Sequence, residues 1–239
     1  MKMPDIALPD GVDLVSAVDA HSVASILAEK IAGVLADRLR EPGRASLAVS
    51  GGTTPIAFFE LLAEKPLDWS RVDVVLVDER WVPESDPASN AASVRRYLLQ
   101  GPAASATFWP LWREGVSPEQ GAALADRALA SLAWPLTAVV LGLGTDGHTA
   151  SLFPDAPELF QALDSTRPER VCAMTPPSQT QARVTLTLRA LAAAGFRALH
   201  IQGGSKAEAL RQACENLDDV ADMPIRVFLK LGLRVFWSA

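Results

Sequence analysis

Cysteine is scarce in this chain: 239 residues hold two, Cys172 and Cys214, with no C-x-x-C spacing. That excludes a disulfide framework and argues against a cysteine-based zinc site, so no metal is expected and both thiols read as small hydrophobes. Long apolar runs are also missing. None approaches the roughly 20 residues of a membrane-crossing helix, and the opening MKMPDIALPDG has no apolar core of the secretion-signal kind. A soluble, cytoplasmic protein with no membrane partner is therefore expected. Nor is there an excess of basic residues: 22 Lys and Arg stand against 28 Asp and Glu, a formal charge of −6. Scattered cations with a net negative charge exclude a general nucleic-acid footprint, so an anionic ligand would need a local group of cations. No linker, repeat or low-complexity tract marks a domain boundary. With 49% hydrophobic and 21% charged residues, the chain reads as a single globular domain spanning residues 1–239.

What is present alternates in type. In residues 20–40, Val23, Ile26, Leu27, Ile31, Val34, Leu35 and Leu39 recur at three- and four-residue steps, one face of a helix. Asp19 can cap its start and Pro42-Gly43 stops it. ASLAVS (45–50) reads as a short buried strand, followed by a turn and a helix from Pro55, taken as its first residue, through Leu62. VDVVLV (72–77) is a β-branched run of the kind covered on both faces. It leads into a polar loop, DERWVPESDPASN, and a helix over 91–100. A helix over 118–132 precedes a strand at TAVVLGL (137–143). RVCAMT (170–175), RVTLTL (183–188) and FRALHIQ (196–202) add strands, the first two as a hairpin-like addition. A helix follows over 206–215, and LRVFWSA closes as a strand. Strands alternating with helices imply an α/β fold with a mostly parallel sheet and helices on both faces.

In such sheets ligands gather beyond the carboxyl ends of the strands, and four informative loops leave those ends. Ser50-Gly51-Gly52-Thr53-Thr54-Pro55 exposes amide groups at a helix start, either as an anion seat or as a plain capped turn. Gly203-Gly204-Ser205-Lys206 repeats the device and adds an ammonium, for a phosphate or for solvent. Asp78-Glu79-Arg80 either marks where a strand meets water or aims Arg80 at substrate, with Asp78 or Glu79 fixing the guanidinium. Arg183 points into the same mouth or sits at the sheet rim.

The fourth loop, LGLGTDGHTASLFP (141–154), contains Gly142, Gly144 and Gly147 in G-x-G-x-x-G spacing. A dinucleotide site needs a long helix opening after the last glycine. Here Pro154 and Pro157 cut any such helix short, which argues against a nicotinamide cofactor. What remains is a loop placing Asp146 and His148 at a strand exit. Imidazole can take a proton from water near neutral pH, and the carboxylate two residues away can fix its tautomer. His21 lies at a helix start and His200 within a strand, which leaves His148 over the mouth.

Taken together, SGGTTP (50–55), VDERWVPESDPASN (77–90), LGLGTDGHTASLFP (141–154), RVTLTL (183–188) and GGSKAEAL (203–210) resemble the 6-phosphogluconolactonase family, in family order over about two thirds of the chain. The resemblance implies a modified Rossmann-like α/β fold and a cofactor-free enzyme, monomeric or weakly dimeric. Its substrate would be a phosphorylated sugar lactone, 6-phospho-D-glucono-1,5-lactone, opened to 6-phosphogluconate. It further implies His148 as general base with Asp146 beside it, and Arg80 on the substrate. Ser50, Gly51, Gly52, Thr53, Asp78 and Gly144 would line the substrate, with Arg183 and Lys206 toward the phosphate. Many members carry a lysine in the loop before the RVTLT strand, whereas this loop reads TPPSQTQA. Glucosamine-6-phosphate deaminases share the fold but continue the second loop as Asp-Glu-Tyr and the histidine loop as G-H-I-A-F-N, where this chain has Arg80 and Thr149-Ala150-Ser151. A sugar-phosphate-sensing domain is the other relative, and no DNA-binding segment is read before Leu14.

Overall fold

The computed structural model describes residues 6–239. Its first half comprises β1 (Asp13–Ala17), α1 (Ala20–Leu39), β2 (Ala45–Val49), α2 (Ile56–Ala63), β3 (Val72–Leu76), β4 (Asp78–Arg80), α3 (Asn90–Ser93), β5 (Thr107–Trp109) and α4 (Pro118–Leu129). The second half adds β6 (Ala138–Leu141), α5 (Leu159–Leu163), β7 (Val171–Met174), β8 (Arg183–Leu186), α6 (Leu188–Ala192), β9 (Phe196–Gln202), α7 (Gly204–Glu215), α8 (Arg226–Leu231) and β10 (Arg234–Ser238). Seven strands form one wholly parallel sheet in the order β1-β10-β9-β6-β2-β3-β5. A small antiparallel sheet, β4-β8-β7, stands beside it.

The strand order explains where a ligand can sit. From β2 the chain builds outward through β3 and β5, then returns to the other side of β2 with β6, β9 and β10. The order therefore reverses between β2 and β6, and a crevice opens at that switch point. The four central strands β9, β6, β2 and β3 are the ones whose exit loops carry the polar motifs. Every residue of β2, β3 and β6 is buried, as mainly apolar runs allow, and their two polar members are bonded: Ser46 Oγ donates to Ala133 O at 2.6 Å and Asp73 pairs with Arg44 at 2.9 Å.

Helix α1 begins as expected, with Asp19 accepting a hydrogen bond from the Ser22 amide at 2.8 Å. Its buried stripe differs from the sequence reading: Ile26 is exposed, while Ala24, Ala28 and Ala32 are buried. Small residues let α1 lie close to α2 and the sheet. Pro55 occupies the N-cap of α2 and not its first turn. The helix expected over 91–100 is α-helical only to Ser93 and continues as a π-helical turn, Val94–Leu98. Helix α4 stops at Leu129, and α7 starts two residues early, at Gly204.

The residues expected as one polar loop after β3 include a true strand. β4 pairs antiparallel with β8, setting Arg80 opposite Arg183 and Asp78 opposite Thr185. Three charged residues form a strand here because their backbone partners come from more than a hundred residues away, a pairing that local composition does not reveal. Strands β1 and β5 and helices α6 and α8 were likewise not expected. RVCAMT and RVTLTL do form the hairpin, as β7 and β8. Among the described residues no helix is long and apolar enough to cross a membrane.

Candidate active site

All four loops converge on one cavity of about 310 Å³, within the usual range of small-molecule pockets. Its wall includes Ser50–Pro55, Asp78, Arg80, residues 140–144, His148 and Lys206. Arg80 and Lys206 are its Lys and Arg members, against the single carboxylate of Asp78, so the local field favours an anion despite the acidic chain. A second cavity, about 390 Å³, has the opposite character: Glu119, Asp126, Glu158 and Glu169 line it against Arg127. A phosphorylated ligand would be repelled there.

The histidine loop explains its own glycines. Asp146 Oδ1 lies 2.5 Å from His148 Nδ1 and also accepts the His148 amide at 3.2 Å. Burial alone would raise the Asp146 carboxyl, but the hydrogen bond and charge of His148 outweigh it and hold the group below the ordinary carboxylate value. An ionised Asp146 fixes the proton on Nδ1, which leaves Nε2 as the free base. A Cβ on Gly144 would sit 2.0 Å from His148 Nδ1, and one on Gly147, where φ is +81°, would meet Met223 Cβ at 2.5 Å. Gly144 and Gly147 thus let the chain fold the carboxylate under the ring and press the loop against Met223. After Gly147 a tight turn follows, with Leu152 N–H donating to Thr149 O at 3.0 Å, and the next helix waits until Leu159. No helix opens directly after Gly147, as the dinucleotide motif requires.

The two glycine turns bordering the cavity are held equally firmly. Ser50 Oγ accepts from Gly142 N–H at 3.0 Å and donates to Val140 O at 3.1 Å, tying the ends of β2 and β6 together across the crevice. Gly51 passes so near Asn90 that a Cβ would lie 2.0 Å from Asn90 Oδ1. Gly52 has φ +93°, a conformation that glycine adopts without strain. The Ser50 and Ile56 amides bond to Val140 O and Thr53 O, and the turn between them leads into α2. At α7, Gly203 is the N-cap with φ +85°, and Lys206 stands in the first turn. Two helix starts therefore border one cavity, each favouring negative charge.

The scan for known families matches residues 18–237 to the model described as glucosamine-6-phosphate isomerases/6-phosphogluconolactonase. The chain belongs to this family. A 6-phosphogluconolactonase of Pseudomonas aeruginosa is 47% identical over 237 residues, covering 99% of both chains. One of Rhizobium meliloti is 46% identical, covering 91% of this chain and 94% of the relative. The crystal structure of a 6-phosphogluconolactonase from Shewanella baltica superposes with a TM-score of 0.93 at 40% identity, covering 98% of this chain and all of the other.

Within this family fold, two expected contacts take a different form. Neither Asp78 nor Glu79 holds the Arg80 guanidinium, whose Nη1 donates to Ala88 O at 2.6 Å. Asp78 instead accepts from Ser151 Oγ at 2.6 Å, linking β4 to the histidine loop. Glu79 is fully buried and accepts from the amides of Arg80, Asn90 and Ala91 at 2.7–2.8 Å and from Ser89 Oγ at 3.1 Å. Burial pushes its pKa above the ordinary value, with the three amides pulling the other way. Arg183 does not line the cavity. The β4–β8 register buries it beside Arg80, with Nη2 on Gln179 at 2.7 Å and its guanidinium carbon 5.9 Å from the Phe153 ring centre.

Among the wall residues that the sequence reading does not single out are Asn90 and His200. Asn90 is buried with Nδ2 donating to Asp78 O at 2.9 Å. His200, set aside as a strand residue, reaches the cavity wall from β9 and packs edge-on against Phe58. No local signal distinguishes it from a core histidine, because its place depends on how β9 lies beside β6. Burial lowers its pKa to about 4. Unfolded, the ring takes a proton near 6.5; folded, only near 4. The unfolded chain thus binds the extra proton between those values, and the stability of the neutral ring is complete above pH 6.5 and lost as pH falls towards 4. The difference amounts to about 3 kcal/mol. His200→Leu is expected to flatten that part of the stability profile, measured by urea unfolding at pH 4.5 and 7; an unchanged slope would contradict the assignment.

Proposed function

We propose that this chain hydrolyses 6-phospho-D-glucono-1,5-lactone to 6-phospho-D-gluconate, the lactone-opening step of the oxidative pentose phosphate pathway. The observation that carries this reading is the meeting, in one cavity, of an Asp146-oriented His148 with a glycine-lined anion seat bearing Lys206. The relatives named 6-phosphogluconolactonase support the same chemistry.

A lactone is an activated ester, so a deprotonated water suffices as nucleophile. His148 Nε2 accepts a proton as the water oxygen attacks C1, and the carbonyl oxygen becomes an oxyanion. Amides of the glycine loops or the Arg80 guanidinium stabilise that charge. The ring oxygen then leaves and takes a proton back from His148, giving the hydroxy acid, which ionises. Asp146 stays ionised and keeps the tautomer. The phosphate is remote from the bond that breaks; Gly51, Gly52, Thr53 and Lys206 hold it so that C1 lies over the imidazole.

Freshly generated lactone, followed against its spontaneous opening at neutral pH, tests this reading. Strong acceleration is expected. Binding of 6-phosphogluconate without acceleration would make the chain a sugar-phosphate sensor. Lys206→Ala removes a charged anchor and is expected to raise KM about tenfold or more, with a much smaller change in kcat. An unchanged KM would move the phosphate seat elsewhere.

A further inference from the structure

The face of the catalytic imidazole is not left to solvent. Phe153, five residues further along the same loop and 3% exposed, stacks on His148 with ring centres 4.1 Å apart and planes inclined by 27°. Asp146 holds the ring by its edge at Nδ1, and an edge contact alone still permits tilting about that hydrogen bond. A stacked partner removes the remaining freedom. Phe153 is itself held in place: the turn after Thr149 carries Ala150 at φ +49°, and Ser151 is tied to Asp78 and Thr185. A left-handed conformation at a residue other than glycine persists only where the surroundings enforce it.

We infer that Phe153 is a positioning residue for general-base catalysis, fixing the plane of the His148 ring and stabilising the imidazolium that forms when the ring accepts a proton. This rests on the reading of His148 as the base. The electron-rich face of an aromatic ring attracts a cation lying over it, so the π-system stabilises the positive charge that develops on the His148 ring during proton transfer, which an aliphatic side chain of similar bulk would not. Other charges also act on His148. Asp146 bonds it, Asp78, Arg80, Lys206 and neutral His200 line the same cavity, and Arg183 approaches the Phe153 ring. Replacing Phe153 alone leaves all of these in place and isolates the ring's share.

Phe153→Leu keeps an apolar side chain at the site. Expected are a fall in kcat of about tenfold and a KM within about twofold of the parent. A KM that rises as kcat falls would reduce Phe153 to a packing residue and overturn the inference, as would unchanged kinetics. Should the variant not fold, the parent protein decides. A proton resonance of His148 Cε1, identified by its loss in His148→Ala, should lie upfield of the His21 signal because of the Phe153 ring current. An ordinary chemical shift would overturn the inference. His148→Ala kinetics test the base separately: full activity there refutes the catalytic reading itself, whatever Phe153→Leu does.

Discussion

His148→Ala is expected to lower kcat by about 10²–10⁴-fold, the usual contribution of a well-placed general base. KM should change little, because the phosphate seat is built from other loops. The reason lies in the tautomer. Asp146, held ionised, accepts the Nδ1 proton at 2.5 Å, and Nε2 is then the one ring nitrogen able to take a proton from water. Alanine removes that atom while leaving Gly144 and Gly147 free to keep the loop's shape. Residual activity would come from the oxyanion donors and from holding the lactone in place. Steady-state kinetics on freshly made lactone, corrected for spontaneous opening, measure the effect. Turnover near that of the parent would remove His148 from the mechanism.

Glu79→Ala should have the largest effect on stability, although Glu79 lies outside the cavity wall. Its carboxylate joins the end of β4 to the beginning of α3, accepting four hydrogen bonds within 3.1 Å. Asn90 and Ala91 are the first residues of α3, so Glu79 satisfies amide groups that no turn of the helix can. Alanine leaves three buried amides and a hydroxyl without an acceptor, at a cost of about 3–5 kcal/mol. For a chain of this size that corresponds to a fall in Tm of roughly 10 °C. Activity should fall as well, since Arg80 and Asn90 line the cavity and their backbone amides are held by this carboxylate. Glutamine restores only part of the loss, because its amide nitrogen would face N–H donors. A thermal midpoint within about 2 °C of the parent would show that water or neighbouring groups replace the carboxylate.

The elements that were legible in the sequence share a physical trait. Strands β2, β3 and β6 are buried on both faces and are mainly apolar, with Ser46 in β2 and Asp73 in β3 as the polar exceptions, and each run is visible in the sequence. Strand β1 is an edge strand with Asp13 and Leu14 exposed, and its mixed composition carried no such mark. β4 consists of three charged residues whose partner, β8, is distant in sequence; only the folded chain brings them together. The same distinction governs the site. His148, Asp146 and the glycine turns announce themselves by local spacing. The separation of roles between Asp78 and Glu79 does not, because it depends on which way successive side chains leave β4. One carboxylate reaches Ser151 and the other the amides at the start of α3. Arg183 and His200 depend on long-range packing: the sequence leaves Arg183 either in the mouth or at the sheet rim and the β4–β8 register buries it beside Phe153, while His200 lies on a strand as read and also reaches the cavity wall.

The position of bound 6-phosphogluconate in a crystal of the parent enzyme addresses the central geometry most directly. Its C1 carboxylate should lie within reach of His148 Nε2, directly at about 3 Å or through one water, with the phosphate on Gly51–Thr53 and Lys206. A product bound the other way round, phosphate at His148 and carboxylate at Lys206, or one lying wholly outside this cavity, would contradict it.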